Sequence, residues 1–399
     1  MSSPDTPPST PTDSLKTSNG QCEPHTSGIP GFHAIIPAGG VGSRLWPVSR
    51  NAAPKFLHDI LGTGRTLLQA TYDRIAPLVM QNNTWVVTGR EHTALVQEQM
   101  AEVQHAIRII SEPSPKDSAA AIGMAAVLID REDPEAIVGS FSADHSITNN
   151  EEFREVITQA CRAASSGNIV TIGITPTYPA TSYGYIKAGK NLGIPGAPTA
   201  RRAEAFVEKP QAEAARSYAY SGNYRWNAGM FIAQARVLVE MFAEQAPELY
   251  RALSAIAEAW GTSEHESVVA RQWPSLEKKS FDYVIAEPAA AAGRVVVIPG
   301  DFGWDDVGDF DSIAKLRQPV PGEENSVISL GGDADIVEVD ASGIVISEGT
   351  QERLVAVLGL KELVVVDTPD ALLVASRNSA QEVKRVVERI RSMGREDVL

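Results

Sequence analysis

The chain has 399 residues, of which 43% are hydrophobic and 21% charged, so it is long enough for two or three globular domains with sizeable cores. Its 35 Lys and Arg residues against 50 Asp and Glu residues leave a formal charge of −15, which excludes a protein that coats DNA or RNA through a basic surface. Two cysteines exclude a disulfide scaffold and a four-cysteine zinc site, and the longest apolar run, 119–129, is shorter than the roughly 20 residues of a membrane span.

The first thirty residues differ in composition from the rest of the chain. They contain six Ser, five Thr and six Pro residues and almost no large apolar residue. Such a segment buries too little surface to offset its ordering entropy, so residues 1–30 are predicted to form a disordered tail. The tail lacks the apolar core and basic start of a signal peptide, and we therefore expect a cytoplasmic protein.

Strand and helix patterns alternate from residue 33 onwards. Short apolar runs predict strands at 33–37, 84–88, 106–111, 136–141 and 168–174. Helical spacing predicts helices at 66–75, 92–101 and 118–130, and a further one from Asn149 or Asn150 to about Ser165. This alternation predicts an α/β domain over residues 31–319, with a mixed, mostly parallel sheet and helices on both of its faces. Ligands of such sheets bind beyond the carboxyl ends of the strands.

The last eighty residues have a different pattern of apolar runs. Apolar runs recur near 336, 344, 354, 363 and 372 with Gly or Asp between them, which predicts a small β-rich, β-helix-like module over 320–399. A capping-box pattern of Ser379 and Glu382 predicts the start of a closing helix. The apolar stripe of that helix is Val383, Val386, Val387 and Ile390, and its basic residues Lys384, Arg385 and Arg391 are expected to form a solvated face.

A glycine-rich segment, residues 39–57, follows the first predicted strand. Its glycines Gly39, Gly40 and Gly42 allow backbone N–H groups to approach an anion closely, although a tight turn would use the same residues. A dinucleotide-binding fingerprint would need Gly where Leu45 stands, and a P-loop would need Lys in place of Ser43. Both motifs are therefore excluded.

Two cations accompany these glycines. Arg44 can present a planar fork to phosphate oxygens, and Lys55 can present a compact point charge. Together they suit a triphosphate, but from the residues alone they could equally be two solvated surface cations.

Three carboxylates follow strands or turns further along the chain. Asp144 ends the apolar run GSFSADH, and Asp305 and Asp306 follow Trp304 in a turn flanked by glycines. Mg²⁺ needs only one or two protein carboxylates when phosphate oxygens and water complete its coordination. A helix cap or a turn is the alternative role for each of them.

The order of these motifs resembles the sugar-nucleotide pyrophosphorylases. The string GGVGSRLWPVSR followed by PKF resembles the signature loop of that family, and it is most similar to the loop of the mannose-1-phosphate guanylyltransferases. Further matching blocks are EPSPKDSAAAI (112–122), SADH (142–145), TSYGYI (181–186), FVEKP (206–210), WNAGMF (226–231) and FGWDDVG (302–308). The resemblance covers roughly residues 33–310, and LVAVLGLKELVVVDTPDALLVA (354–375) resembles the C-terminal module of bacterial members.

The resemblance implies a Rossmann-like nucleotidyltransferase fold and a role for each matching residue. It implies nucleotide binding by Gly39, Gly40, Gly42, Ser43, Glu112 and Ser118, and catalytic contacts to phosphates by Arg44, Lys55 and Lys209. It implies sugar-phosphate binding by Gly184, Glu208 and Asn227, and Mg²⁺ binding by Asp144 and Asp306. Asp305 is the neighbouring carboxylate whose part in metal binding stays open, and His145 is expected to be structural. A surface ion pair of Glu208 with Lys209 and a turn position for Asn227 are the alternatives.

Glu112 bears on the choice of base. A carboxylate only accepts hydrogen bonds, and the Watson–Crick edge of guanine offers two adjacent donors, N1–H and N2–H₂. A turn-fixing role before Pro113 is the alternative. Relatives usually continue with an Arg-Asn pair where this chain has Lys116 and Asp117, so contacts from those two positions are in doubt.

The resemblance therefore implies transfer from GTP to mannose 1-phosphate, giving GDP-mannose and pyrophosphate, with Mg²⁺ as the cofactor. The alternatives are the same chemistry on another sugar 1-phosphate and nucleotide, or a non-catalytic regulatory relative. We expect a homo-oligomer, a dimer, with neither nucleic acid nor membrane as a partner. We expect no phosphomannose isomerase activity, because some relatives carry an isomerase domain after the β-rich module and this sequence does not.

Overall fold

The computed structural model of the chain describes residues 28–317, 326–331, 335–348 and 353–399. The predicted N-terminal tail lies outside the described residues apart from 28–30, and so does the predicted domain boundary at 319–320. Ile29 packs against the core and donates its N–H to the carbonyl oxygen of Leu78. In the described ranges, no helix has both the length and the apolar character needed to cross a bilayer.

The larger domain consists of alternating strands and helices. Its strands are β1 (Phe32–Ala38), β2 (Thr84–Gly89), β3 (Ile107–Glu112), β4 (Ile137–Ser140), β5 (Ser146–Ile147), β6 (Ile169–Ile174), β7 (Tyr185–Asn191), β8 (Arg201–Val207), β9 (Tyr224–Gln234), β10 (Val295–Gly300) and β11 (Trp304–Asp305). Its helices are α1 (Leu67–Ile75), α2 (Thr93–Gln99), α3 (Ser118–Glu132), α4 (Asn150–Ala164), α5 (Ala212–Tyr220), α6 (Ala235–Gln245), α7 (Pro247–Glu258), α8 (His265–Gln272), α9 (Glu287–Ala291) and α10 (Phe310–Leu316). The elements predicted between residues 33 and 174 are confirmed, with ends within about two residues of the prediction.

Within the described residues, nine of these strands form one sheet in the order β3-β2-β1-β4-β9-β6-β10-β8-β7. Seven strands run in the same direction, and β8 and β9 run against them. This confirms the predicted mixed, mostly parallel sheet. The carboxyl ends of β1 and β3 therefore lie at one edge of the sheet, where the glycine-rich segment follows β1 and Glu112 ends β3.

Helices cover both faces of the sheet, as predicted. Side chains alternate along a strand, so Ile35 of β1 packs in a cluster with α3, α6 and α7, whereas Ala34 and Ile36 pack in a second cluster with α1 and α4. The apolar helix α3 is buried along most of its length because the sheet lies on one side of it and α6 and α7 lie on the other.

The C-terminal module is a set of short stacked strands. They are β12 (Val327–Gly331), β13 (Ile336–Val339), β14 (Gly343–Ser347), β15 (Val355–Leu358), β16 (Leu363–Asp367) and β17 (Leu372–Ser376), followed by helix α11 (Val383–Ser392). Strands β12, β14 and β16 pair in parallel, β13 pairs in parallel with β15, and β17 closes the larger sheet antiparallel to β16. Successive parallel pairs on two sides are typical of a β-helix, which confirms the predicted β-rich module.

The predicted capping box of the last helix is wrong. Residues 377–382 form a 3₁₀ turn that leads directly into α11, and Glu382 occupies the N-cap position without a capping side chain. Because the preceding turn is already helical, it supplies carbonyl acceptors and Ser379 has no exposed helix start to cap. Val383 and Val387 are buried as expected, but Val386 is exposed.

The C-terminal module shares a hydrophobic core with the glycine-rich segment of the larger domain. Leu45 and Trp46 pack in one cluster with Val364 and Val387 of the module. The indole Nε1 of Trp46 donates a buried hydrogen bond of 2.6 Å to the carbonyl oxygen of Val398. The module therefore holds one side of the segment in place.

Candidate active site

The glycine-rich segment leaves the carboxyl end of β1 and forms two short helical turns, Ser43–Leu45 and Lys55–Leu57. Gly42 has a φ of 78°, and a Cβ atom there would lie only 2.7 Å from Cδ of Lys55. A larger residue at 42 would therefore be strained and would displace Lys55. Gly39 and Gly40 have open space beside their Cα atoms, which leaves bare backbone for a ligand to approach.

Lys55 is buried at the centre of the site. Its Nζ lies 2.8 Å from Oδ2 of Asp144 and donates to the carbonyl oxygen of Asp306 at 3.1 Å. The resemblance implied a phosphate contact for Lys55. In this structure its ammonium group joins the two chain segments that carry the predicted metal ligands.

The pairing of β5 with β11 brings the two predicted metal ligands together. Asp144 lies just before β5 and Asp306 just after β11, and these strands run antiparallel. Burial alone would raise the pKa of Asp144, but the nearby Lys55 outweighs it and lowers this pKa to about 2. Oδ1 of Asp306 accepts a 2.9 Å hydrogen bond from the hydroxyl of Tyr183.

This donor set fits Mg²⁺. Carboxylate oxygens are its preferred protein ligands, and Asp144 stays ionised at any pH at which the protein would work. Across the described ranges, no three His, Cys, Asp or Glu side chains gather into a complete metal site. A cation held by Asp144 and Asp306 would therefore complete its coordination with phosphate oxygens and water, as Mg²⁺ commonly does.

Two neighbours of the metal pair have structural contacts. Oδ1 of Asp305 accepts the N–H of Val307 at 2.7 Å, and burial raises the pKa of Asp305 to about 6. Nδ1 of His145 accepts from the indole of Trp304 at 3.1 Å, and burial lowers the pKa of this imidazole. Asp305 thus holds the turn that carries Asp306, and His145 packs as a structural residue.

Arg44 lies beside a second part of the site. It lines a cavity of about 290 Å³ together with Tyr183 and Asp306 of the larger domain and Gln381 of the C-terminal module. Its guanidinium makes no ion pair with another described residue. It is thus available to an anion beside the predicted metal site.

Glu112 ends β3 and is only 5% exposed. Burial, and secondarily the charge of Asp117, raises its pKa to about 7. Its Oε1 atom has no hydrogen-bond partner in the described part of the chain. A buried acceptor without a partner is costly, so this carboxylate is placed to receive donors from a ligand.

The segment after Glu112 makes internal contacts. Lys116 donates to the carbonyl oxygen of Pro274 at 3.1 Å, and Asp117 caps α3 through the N–H of Ser118. The hydroxyl of Ser118, for which the resemblance implied nucleotide binding, accepts the N–H of Phe281 at 2.9 Å.

Glu208 lies at the predicted sugar-phosphate end of the site. A Cβ atom at Gly184 would lie 2.4 Å from its Oε2, so only glycine fits beside it. Oε2 is buried without a partner among the described residues, whereas Oε1 pairs with the ammonium of Lys209 at 2.9 Å. Burial would lower the pKa of Lys209, but this contact raises it, so the exposed ammonium stays charged.

Asn227 is held by other residues of the site. Its Oδ1 accepts from the hydroxyl of Thr171 at 3.0 Å and from the N–H of Gly229 at 3.1 Å, and its Nδ2 donates to Asp282 at 2.7 Å. The amide thus has a fixed orientation, and one N–H of its Nδ2 is left for a ligand.

Asp282 and Tyr183 are site residues that the sequence reasoning missed. Burial, and then the charge of Glu208, raises the pKa of Asp282 to about 6. The signal for Asp282 was a lone carboxylate in the otherwise apolar run FDYVIA, and the signal for Tyr183 was its position beside Gly184 in a matching block.

Comparison with known proteins agrees with this geometry. The family model for nucleotidyl transferases matches residues 33–321, and the model of the MannoseP isomerase/GMP-like beta-helix domain matches residues 334–390. The mannose-1-phosphate guanylyltransferase of Escherichia coli K12 is 34% identical over 373 residues, which are 92% of this chain and 75% of that protein. The chain belongs to the nucleotidyl transferase family of mannose-1-phosphate guanylyltransferases.

Other members of this guanylyltransferase family match over similar lengths. The ManC protein of Salmonella typhimurium LT2, named as a mannose-1-phosphate guanylyltransferase, is 35% identical over 375 residues, 92% of this chain and 74% of that protein. A crystal structure from Thermus thermophilus, described as a mannose-1-phosphate geranyltransferase, is 33% identical and aligns with a TM-score of 0.77 over 90% of this chain and 99% of that one. The family resemblance and the fold expected from the motifs are confirmed.

Proposed function

We propose that the chain transfers the guanylyl group of GTP to mannose 1-phosphate, giving GDP-mannose and pyrophosphate. The observation that carries the proposal is a pair of buried carboxylate oxygens without partners in the described residues, Oε1 of Glu112 and Oε2 of Glu208. Two further carboxylate oxygens of this kind, on Asp130 and Asp367, belong to α3 and to the C-terminal module. An unpartnered buried acceptor costs about 1–3 kcal/mol, which a ligand with matching donors recovers.

The acceptor on Glu112 favours guanine. The N1–H and N2–H₂ groups of guanine are adjacent donors that a carboxylate can accept together. Adenine, uracil and thymine have no such donor pair. The acceptor on Glu208 fits a sugar hydroxyl, and Gly184 leaves the room that this carboxylate occupies.

The reaction needs neither a general base nor a covalent intermediate. A phosphate oxygen of mannose 1-phosphate attacks the α-phosphorus of GTP, a new P–O bond forms, and the bond to the bridging oxygen of the β-phosphate breaks. The attacking phosphate has a second pKa of about 6, so it is already largely dianionic at neutral pH. Lys209 aligns this phosphate, and Arg44 with the backbone N–H groups of the glycines stabilises the departing pyrophosphate.

We also propose that the reaction depends on Mg²⁺ held by Asp144 and Asp306. When bound, the ion neutralises charge on the phosphates of the nucleotide. Lys55 keeps Asp144 ionised and connects its segment to that of Asp306. Titration of Mg²⁺ into protein treated with a chelator should restore turnover from zero, and full turnover with the chelator would refute this dependence.

A substrate panel tests the proposed reaction. Pyrophosphate release is measured with GTP, ATP, UTP and dTTP, each with mannose 1-phosphate and with glucose 1-phosphate. We expect the highest kcat/KM for GTP with mannose 1-phosphate. A higher kcat/KM for another nucleotide and sugar 1-phosphate would correct the substrates but keep nucleotidyl transfer as the reaction. Nucleotide binding without turnover of any pair would favour a non-catalytic relative.

Assembly and location are further proposals. We propose a homodimer, which light scattering would report as twice the mass of one chain. We propose a cytoplasmic site of action because both substrates are phosphorylated anions, which do not cross a lipid bilayer unaided. Cell fractionation would test it.

A further inference from the structure

Tyr183 lies between the sugar-phosphate end of the site and the turn that follows β11. It stands in the bend before β7, next to Gly184. Its ring makes an edge-to-face contact with Trp226 of β9, with ring centroids 5.1 Å apart, and another with Trp304 of β11 at 5.3 Å. These contacts hold the side chain from two sides, and Tyr183 lines the cavity that Arg44 also lines.

The hydroxyl of Tyr183 occupies one of the two carboxylate oxygens of Asp306. It donates a hydrogen bond of 2.9 Å to Oδ1. The other oxygen, Oδ2, makes no hydrogen bond or ion pair with any residue that the structure describes. The contact therefore distinguishes the two oxygens, because Oδ1 faces the phenol and Oδ2 is left for a cation.

The two proposed metal ligands are held to different degrees. Oδ2 of Asp144 pairs with Lys55 at 2.8 Å, and its Oδ1 accepts from the hydroxyl of Ser142 at 2.5 Å. Among the described residues, the side-chain carboxylate of Asp306 has Tyr183 alone as a partner. The last torsion of an aspartate is broad, so a carboxylate without a partner can turn and exchange its oxygens. The orientation of Asp306 thus depends on one hydroxyl.

We propose that Tyr183 is a positioning residue, which orients Asp306 so that its Oδ2 binds the metal ion. The inference rests on the Mg²⁺ dependence proposed above and does not place Tyr183 in contact with the ion or with the reacting phosphates. Hydrogen-bond partners of metal-binding side chains orient those ligands, and removing them typically costs about 10- to 100-fold in metal affinity. The alternative is a role in aromatic packing only, which phenylalanine would fill equally well.

The replacement Tyr183→Phe separates these two roles, because it removes the hydroxyl and keeps the ring that packs against Trp226 and Trp304. Tyr178→Phe is the matched control. It removes a hydroxyl from the same aromatic cluster, where Tyr178 donates to Tyr183 at 3.4 Å but makes no hydrogen bond to Asp306. The control thus shows whether the loss of any hydroxyl from this cluster would weaken the site.

Binding of Mn²⁺ alone to the full chain, followed by the EPR signal of the free ion, tests the proposal without any turnover. The Mn²⁺ that the parent binds and Asp306→Asn does not bind defines the site among the other carboxylates. We expect Tyr183→Phe to raise the Kd of this site, and the Mg²⁺ concentration for half-maximal turnover, about tenfold. At saturating Mg²⁺ the bound ion itself holds Asp306, so kcat should return to the parent value. Tyr178→Phe should stay within about twofold of the parent in each constant.

A double variant distinguishes positioning from a general structural effect. Adding Tyr183→Phe to Asp306→Asn should remove no further Mn²⁺, because the hydroxyl then has no carboxylate to orient. Unchanged Mn²⁺ binding in Tyr183→Phe, an equal loss in Tyr178→Phe, or a further loss in the double variant would overturn the assignment.

The outcomes also separate this inference from the proposed function. Equal Mn²⁺ binding by the parent and by Asp306→Asn would overturn the inference together with the proposed metal site. A parent chain that makes no GDP-mannose, but loses Mn²⁺ affinity through Tyr183→Phe and not through Tyr178→Phe, would overturn the proposed function and keep Tyr183 as a positioning residue.

Discussion

The replacement Glu112→Gln tests the nucleotide end of the site, because it removes one charge and one acceptor while nearly conserving volume. Glu112 is 5% exposed at the end of β3, and burial, followed by the charge of Asp117, raises its pKa from 4.5 to about 7. The pKa of Glu112 in the folded chain therefore lies about 2.5 units above its ordinary value. At 1.36 kcal/mol per unit, this difference changes the free energy of unfolding by about 3 kcal/mol between low and high pH.

The sign of this effect follows from proton binding. Because the folded chain holds the proton of Glu112 more tightly than the unfolded chain does, this group favours folding most at low pH. Its contribution declines from about pH 4.5 and is lost as the pH rises through about 7. We therefore expect Glu112→Gln to match the parent near pH 4.5 and to be more stable by up to about 3 kcal/mol at pH 8.

The same replacement should weaken the binding of GTP through its guanine base. Glutamine turns one acceptor into a donor, which then faces a donor of guanine, so we expect the KM for GTP to rise about 10- to 100-fold at pH 8. The preference for GTP over ITP, which lacks the 2-amino group, should shrink. In the parent, the KM for GTP should fall as the pH rises through about 7 and the carboxylate ionises.

Two measurements test the expected effects of Glu112→Gln on stability and on base preference. Denaturant unfolding at pH 4.5 and pH 8 gives the stability difference, and initial rates with GTP and ITP give the base preference. Glu98→Gln is the matched control, since Glu98 is an exposed carboxylate on α2 and its loss should change neither quantity. A Glu112→Gln chain that is less stable at pH 8, or that keeps the parent's GTP-to-ITP ratio, would refute this account of Glu112.

Three further replacements probe the centre of the site and its support. Gly42→Ala should lower kcat/KM at least tenfold, because the added Cβ would press on Lys55. It should also lower the free energy of unfolding by about 1–2 kcal/mol, because a φ of 78° strains alanine. Parent-like kinetics would contradict this account of Gly42. Asp306→Asn should abolish turnover and leave the thermal midpoint within a few degrees, and normal turnover would remove Asp306 from the proposed metal site. Trp46→Phe loses the buried hydrogen bond to Val398 and should cost about 1–2 kcal/mol in chemical denaturation while raising the KM for GTP; an unchanged KM would show that the module does not position the segment.

Local sequence patterns were sufficient to predict the strands and helices of the larger domain up to residue 174. The apolar run that became β1 and the uniformly apolar stretch that became α3 were recognisable because hydrophobic periodicity is a property of neighbouring residues. The same holds for Asn149, whose side chain caps α4 by accepting the N–H of Glu152. The start of α11 was mispredicted because the 3₁₀ turn before it is set by how the chain leaves β17.

The site could be predicted in part, because the motifs identified residue types but not their partners. Asp144 and Asp306 were singled out as metal ligands, and that assignment stays a prediction for the metal titration to test. The salt bridge of Lys55 to Asp144 joins residues far apart in the chain, and it depends on how the glycine-rich segment folds beneath β5 and β11. Asp282 carried no motif, and its contact to Asn227 exists only in the folded chain.

The sequence by itself determined the two-domain α/β and β-helix-like plan, the acidic surface, and a short set of cations and carboxylates matching those of a nucleotidyl transferase. Only the tertiary structure decided which of these charges are compensated. Lys55 is neutralised by Asp144, whereas Arg44 forms no ion pair with any residue that the structure describes. The physical reason is that an electrostatic interaction depends on distance and burial, which strand pairing and domain packing set after the local elements have formed.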